Sequence, residues 1–270
     1  MVDFKKITAE STLYTFHAHT QFCDGRDTME AIATEAAKAG FTHLGFSPHS
    51  PIPFSSPCNM SYGDVPAYLD EIHRLQTLFD GKMHIFKSME IDFTTVCGPS
   101  DDYYQQLPLD YRIGSVHFIP SMDDPQEQVD IDGRPEQFIG KMHKYFHDDI
   151  DYVVKTYFEQ SMKMVDKGGF DIIGHFDKIS FNASQYKPGT DTAPWFVDLV
   201  TELFKMVKAK NLAVEINTKS LEPFGRFFPS STYFSMLKQS GLSIVVNSDA
   251  HVAALVNAGR SEAYRQLHLS

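Results

Sequence analysis

Hydrophobic and polar positions follow two rhythms along this chain. Short apolar runs of strand character recur at 13–16, 42–47, 83–91, 111–116, 170–174, 212–216 and 242–246. Between them lie longer stretches at 31–39, 64–78, 149–167, 193–209 and 230–239, where apolar residues recur at helical spacing. Punctuation supports the division. Asp27 followed three residues later by Glu30 predicts a helix start, Gly40 a helix stop, and Gly168-Gly169 the end of the 149–167 helix. Strands alternating with helices imply a parallel sheet. Seven units of one kind, with no edge strand of antiparallel character, favour an α/β barrel closed on itself over an open sheet.

One segment breaks the rhythm. Residues 119–148 are polar and turn-rich, with Asp123-Asp124-Pro125 and Asp132-Gly133, and hold too few apolar residues for a core of their own. The expectation is one domain over 1–270 with an insertion on the active face at about 119–148.

Composition narrows the function classes. A chain of 270 residues suits a single α/β barrel with a substantial core. No run approaches a membrane span, and the first ten residues lack the apolar stretch of a signal peptide. Cys23, Cys58 and Cys97 are an odd count without metal-knuckle spacing, which points to a reduced, cytoplasmic protein. The formal net charge of -11 argues against a nucleic-acid partner. A small anionic substrate is still compatible, since bound cations supply positive charge where composition does not.

The candidate chemistry sits at the strand ends. His17 and His19 are two apart on a strand, so both imidazoles face one point, and Asp24 follows in the turn. His49 ends the second apolar run, Glu90 the third, His117 the fourth, His175 the fifth, and Asp249 and His251 the seventh. Barrels of parallel strands build their active sites at the C-terminal strand ends. Nine donors exceed what one ion needs, so two or three divalent transition ions (Zn, Fe or Mn) sharing a carboxylate are expected. Such a cluster binds phosphoryl oxygens and lowers the pKa of a bridging water, which suits attack of a metal-bound hydroxide on a phosphate ester. Asp249 and His251 are the candidates for handling protons. Arg226 is the candidate phosphate clamp, with Lys219 beside it in sequence and Lys178 a weaker choice. Asp92, Glu159, Phe118 and Tyr62 are conceivable partners for the rest of a substrate. Asn217 reads as a strand-end cap, Cys23 and Cys97 as spectators, and His43, His73, His84, His143, His147 and His268 as structural or surface residues.

Six motifs together resemble the polymerase and histidinol phosphatase (PHP) family: Phe16-His-Ala-His-Thr20, Ser47-Pro-His49, Met89-Glu-Ile-Asp92, Gly114-Ser-Val-His117, Ile173-Gly-His-Phe-Asp177 and Ser248-Asp-Ala-His251. They run in family order over nearly the whole chain. The resemblance implies a distorted (β/α)7 barrel with a trinuclear site. His17, His19, Glu90 and Asp249 would hold one ion, Glu90 with His117 and His175 a second, and Asp24, His49 and His251 a third. Many relatives carry histidine where Asp24 stands, and the residue before His49, often acidic in the family, is Pro48. The resemblance further implies a metal-dependent phosphomonoesterase of the kind that acts on L-histidinol phosphate in histidine biosynthesis. The alternatives are a PHP phosphoesterase for another small phosphate ester and a non-catalytic PHP module.

Overall fold

The computed structural model describes residues 2–269. In chain order, α1 (Phe4–Glu10) leads to β1 (Tyr14–Thr15), α2 (Met29–Lys38), β2 (His43–Phe46), α3 (Val65–Leu78), β3 (His84–Lys87) and β4 (Glu90–Asp92). Then come α4 (Asp102–Gln106), β5 (Ile113–Ser115), β6 (Phe118–Pro120), β7 (Gln128–Asp130), α5 (Pro135–Tyr145), α6 (Ile150–Lys167) and β8 (Ile172–Ile173). The chain ends with α7 (Ile179–Tyr186), α8 (Pro194–Ala209), β9 (Ala213–Asn217), α9 (Leu221–Phe224), α10 (Phe234–Gln239), β10 (Ile244–Asn247) and α11 (Arg260–Leu269).

The apolar runs become parallel strands in two sheets, ordered β1-β2-β3 and β10-β9-β8-β5-β4. Burial on both faces explains their continuous apolar character; every residue of β9 is buried. Single parallel bridges join the sheets at both margins, His49 to Glu90 and Ala18 to Ala250. The run read as one strand over 83–91 is divided. β3 pairs with β2, whereas β4 pairs with β5. Tyr68, wholly buried, donates its hydroxyl to the carbonyl oxygens of Phe46 and Ser88, which pins the break between β3 and β4. The break turns the Glu90 end of β4 towards the neighbouring sheet.

An aromatic floor lies between the strands. Phe4, Tyr14, Phe16, Phe86 and Tyr111 pack with Ile113, Ile172, Ala213 and Val245. Phe4 meets Phe16 edge to face at 5.0 Å between ring centroids, a favourable quadrupolar geometry. Gly45 makes room for this layer, since a Cβ there would stand 1.8 Å from the Tyr111 hydroxyl. Tyr111 uses that space to donate to the carbonyl oxygen of Phe16, directly before His17.

Several boundaries differ from the sequence reading. The N-cap of α2 is Thr28, whose Oγ1 accepts from the Ala31 amide at 3.2 Å. Asp27, expected in that role, instead accepts from the Ala253 amide at 2.7 Å and ties the start of α2 to the loop after β10. The helix expected over 230–239 is shorter, because 231–233 form a 3-10 turn before α10. In contrast, Asp149 caps α6, and Gly168 ends it at φ 72°, a conformation that favours glycine.

Residues 119–148 form the rest of an antiparallel β6–β7 hairpin and α5. Val129, Ile131, Phe138, Met142 and Phe146 bury into the same core as α6 and α8. No helix among the described residues is long and apolar enough to cross a membrane.

Candidate metal centre

The strand ends carry the donors to one place. His17 and His19 follow β1, His49 follows β2, Glu90 opens β4, His117 follows β5, His175 follows β8, and Asp249 and His251 follow β10. Four overlapping groups have potential ligand atoms within 4.8 Å of one another: His19, Asp24, His49 and His251; His17, His19 and Asp249; His49, Asp92 and His117; Glu90, His117 and His175. Glu90 lies between them. Its Oε2 is 3.2 Å from both His17 Nε2 and His49 Nδ1, while its Oε1 is 2.9 Å from His175 Nε2. Asp249 Oδ1 is 3.0 Å from His19 Nε2, and Asp24 Oδ2 is 3.2 Å from His251 Nε2. Asp249 adopts φ 49°, an uncommon backbone conformation for a residue with a Cβ.

The donor set fits divalent cations on its own evidence. Buried His17 Nε2, His19 Nε2, His49 Nδ1, Asp24 Oδ1 and Asp249 Oδ1 make no aligned hydrogen bond among the described residues, and all belong to residues of the ligand groups. Uncompensated buried polar atoms are costly, so such a concentration calls for a charged occupant. The mix of imidazole and carboxylate suits Zn, Fe or Mn.

A second layer orients this set. His17 Nδ1 meets Glu215 Oε1 at 2.7 Å, and His117 Nδ1 meets Asp92 Oδ1 at 2.8 Å. Each contact fixes the ring so that Nε2 faces the centre. Asn247 Nδ2 donates to Glu215 Oε1, the His175 amide donates to Oε2, and Asn217 Nδ2 donates to Asp249 Oδ2. Asn217 therefore orients a candidate ligand as well as ending a strand. Glu215 was absent from the candidates drawn from sequence. Its signal was a lone carboxylate inside the apolar run 212–216, where an unpaired charge is not tolerated.

Electrostatics follow from this packing. Burial alone would push the His17 imidazole down, but the charges of Glu215, Glu90 and Asp249 raise it to about 10. Burial likewise opposes His117, and Glu90 and Asp92 raise it to about 9. His251 goes the other way, to about 4, through burial and the charges of His19 and Lys219. Burial would raise Glu90, yet the charges of His17, His117 and His49 hold it well below the usual carboxylate range.

A cavity of about 660 Å³ opens over the cluster. Its wall includes Lys178, Lys219, Phe118, Phe181 and Phe228, with Asp130, Asp132, Arg134 and Lys141 contributed by the 119–148 segment. Lys219 Nζ lies 3.1 Å from His251 Nε2 and 3.5 Å from Asp249 Oδ1. Arg226 stands apart from this group. It does not line this cavity, because its guanidinium is held 2.8 Å from Asp191 Oδ2 and also donates to Ser180 and Ser184. Those partners lie on and beside α7, which draws the side chain behind the wall. Glu159 is exposed on α6, and Tyr62 packs on Tyr103; neither lines the cavity. Cys23, read as a spectator, has Sγ 3.5 Å from His19 Nδ1, whereas Cys97 is buried against Thr94. The six histidines set aside in the sequence reading stay outside the cluster.

Residues 15–219 match the family model of the PHP domain. The chain belongs to the PHP domain family. A candidate histidinol-phosphatase of Deinococcus radiodurans is 25% identical over 262 residues, covering 93% of this chain and 91% of that protein. Among solved structures, a candidate histidinol phosphatase from Listeria monocytogenes aligns with TM-score 0.81 at 18% identity, covering 92% of this chain and 99% of the other. The histidinol phosphate phosphatase of Lactococcus lactis, solved with zinc, L-histidinol and phosphate, aligns with TM-score 0.65 at 21% identity, covering 95% and 92%. The shared fold is α/β with parallel sheets.

Proposed function

We propose that this protein is a metal-dependent phosphomonoesterase that hydrolyses L-histidinol phosphate to L-histidinol and phosphate. The observation that carries the reading is the convergence of orphaned imidazole and carboxylate atoms on one buried centre beneath a cavity of about 660 Å³. The names of its similar proteins and the zinc, histidinol and phosphate bound by the Lactococcus lactis enzyme supply the substrate class.

We read the two sheets and their bridges as a distorted seven-stranded barrel, with β3 and β4 as one broken strand. Residues 119–148 act as an insertion over its active face, within a single domain. Three metal positions are proposed: His17, His19, Glu90 and Asp249; Glu90, His117 and His175; and Asp24, His49 and His251. The ions are divalent Zn, Fe or Mn. Three unpaired cysteines support a reducing, cytoplasmic setting.

Bound ions supply Lewis acidity and an activated water nucleophile. The chain's residues do the rest. Glu90 places negative charge between the two imidazole groups and holds them at a fixed spacing. Glu215 and Asp92 keep His17 and His117 in the orientation that presents Nε2. His251, with its pKa pushed down, is neutral at pH 7, and with Nδ1 directed at the Asp249 carbonyl oxygen it would present the Nε2 lone pair to an ion. Asp249, held at Oδ2 by Asn217, would present Oδ1 to an ion, beside Lys219 Nζ. Phe118, Phe181 and Phe228 form an apolar wall suited to a flat heterocycle.

The test is turnover after reconstitution with Zn, Mn or Fe, on L-histidinol phosphate and a panel of sugar and nucleotide monophosphates. The expected kcat/KM is at least ~100-fold higher on L-histidinol phosphate, on the scale of hydrogen-bond and charge discrimination in a built pocket. Equal rates across the panel would discard the substrate assignment.

A further inference from the structure

We propose that Lys178 is the cation that meets the phosphoryl group of the substrate, and that Asp132, reaching in from the 119–148 segment, is the residue that positions it. This inference rests on the reading of the centre as a phosphoesterase site. It names the residue that takes the place Arg226 does not occupy.

Lys178 stands in the turn after β8, where its amide donates to the carbonyl oxygen of His175 at 2.8 Å. Its chain position is therefore fixed by a residue of the ligand cluster. The side chain is only 14% exposed, and Nζ lies 2.8 Å from Asp132 Oδ2. An ammonium has three donors, and among the described residues Asp132 is its one salt-bridge partner. This largely buried group lines the cavity together with His19, Glu90, His117 and Asp249, and its ion pair with Asp132 leaves donors to spare. A buried cation with spare donors is expensive unless an anion completes its shell. A phosphoryl oxygen resting on the cluster does that, and it gains a charge-assisted hydrogen bond in return.

The other cations of the cavity are more exposed than Lys178: Lys141, paired with Asp130 at 2.8 Å, Lys219, set against His251 and Asp249, and Arg134 at the start of α5. The acidic neighbours Asp249 and Glu90 favour the charged form of Lys178 after Asp132 does. Asp132 belongs to the turn between β7 and α5, and its neighbour Ile131 donates its amide to the carbonyl oxygen of His117 at 2.9 Å. The hairpin is thus anchored to one candidate ligand while its carboxylate holds a lysine anchored to another. Asp132 touches no reacting atom on this reading; it acts through Lys178.

The experiment measures binding of inorganic phosphate to the metal-loaded protein by calorimetry, with metal content and thermal unfolding followed in parallel. The variants are Lys178→Met, Lys178→Arg, Asp132→Asn and the Lys178→Met/Asp132→Asn double. The expected result for Lys178→Met is phosphate affinity at least tenfold weaker at unchanged metal content, with Lys178→Arg recovering most of the loss. Asp132→Asn should weaken phosphate severalfold in the parent protein and less than twofold in the Lys178→Met background. Phosphate affinity within twofold of the parent in Lys178→Met, with only a lower unfolding temperature, would overturn the proposal and leave the pair a structural tie. An equal effect of Asp132→Asn in both backgrounds would overturn the positioning role. Because inorganic phosphate is the probe, the outcome stands apart from the substrate assignment. A parent protein that binds phosphate but hydrolyses another ester refutes that assignment alone.

Discussion

Glu215 Oε1 stands 2.7 Å from His17 Nδ1, with both side chains wholly buried. The carboxylate comes from the middle of β9 and the imidazole from the end of β1, so the contact crosses the interior between two strands remote in sequence. It fixes which ring nitrogen faces the centre. Glu215→Gln keeps the shape but removes the charge that raises His17. The expected result is metal affinity about 10–100-fold weaker, the usual scale for an outer partner of a metal-ligating histidine. Competition against a chelator measures it, and unchanged affinity would remove Glu215 from this role.

Glu90→Gln should be more severe than loss of any single histidine at the rim. Both carboxylate oxygens of Glu90 face imidazoles of different groups, and an amide neutralises neither side. Turnover should fall by about 10²–10³-fold or more, comparable with loss of a preorganised electrostatic group, and metal stoichiometry should drop. Elemental analysis with steady-state kinetics checks both.

Arg226→Ala should leave kcat/KM within about threefold of the parent, since its guanidinium serves Asp191, Ser180 and Ser184 away from the cavity. The cost falls on stability, about 1–3 kcal/mol for a largely buried charged hydrogen-bond set. Denaturant unfolding distinguishes this from a phosphate clamp, which would lose activity instead.

Metal loading should release protons. At pH 7.5 the metal-free protein keeps His17, raised to about 10, and His117, raised to about 9, protonated. Metal ligation needs both neutral, so binding expels these protons and affinity rises with pH from about 7 to 9. The same shifts set the stability of the metal-free form. A raised histidine stabilises the fold fully below its unfolded pKa of about 6.5 and loses that contribution as pH rises through the folded value. The stabilisation that His17 and His117 give the metal-free protein is therefore lost progressively as pH rises from about 6.5 to 10. His251, lowered to about 4, has the opposite sign and costs stability as pH falls from 6.5 towards 4. Calorimetry in buffers of different ionisation enthalpy reads the proton count; a count of zero at pH 7.5 contradicts the assignment.

Gly45→Ala should destabilise by about 1–3 kcal/mol, the range for overpacking a tight core, because the new methyl meets the Tyr111 hydroxyl at 1.8 Å. Tyr111→Phe removes that oxygen, so the double variant should cost less than the sum of the singles. Additive losses would mean that the contacts left after the oxygen is gone, the Tyr111 ring carbon Cζ at 2.9 Å and the Phe16 backbone at 3.2 Å from the same methyl position, are the real obstacle.

Much of the fold was legible in the chain because its determinants are local. Apolar runs at 42–47, 111–116 and 170–174 each contain an observed strand, the run at 242–246 overlaps β10, and the helical periods at 64–78, 149–167 and 193–209 match α3, α6 and α8 closely. The donors could be named because a histidine or acid at the end of a buried strand has few structural uses. That inference needs only period and position. The convergence of those donors on one centre was an expectation until the strands were assembled.

What tertiary structure alone decided is where long side chains go. Arg226 and Lys178 look alike in sequence, as basic residues in loops after strands. Packing turned one towards Asp191 and the other towards Asp132 and the cavity, because each guanidinium or ammonium follows the carboxylate that the fold brings within reach. Asp27 lost its cap to Thr28 for the same reason, an amide at Ala253 brought close by the fold. The split between β3 and β4 depends on Tyr68, about twenty residues upstream, donating to two carbonyl oxygens at once. Glu215 met His17 only when β9 and β1 faced each other across the interior. Sequence determines which residues can form strands, helices and ligands; only the assembled chain sets which charge lies within reach of which partner, since hydrogen bonds and ion pairs act over about 3–4 Å and not along the chain.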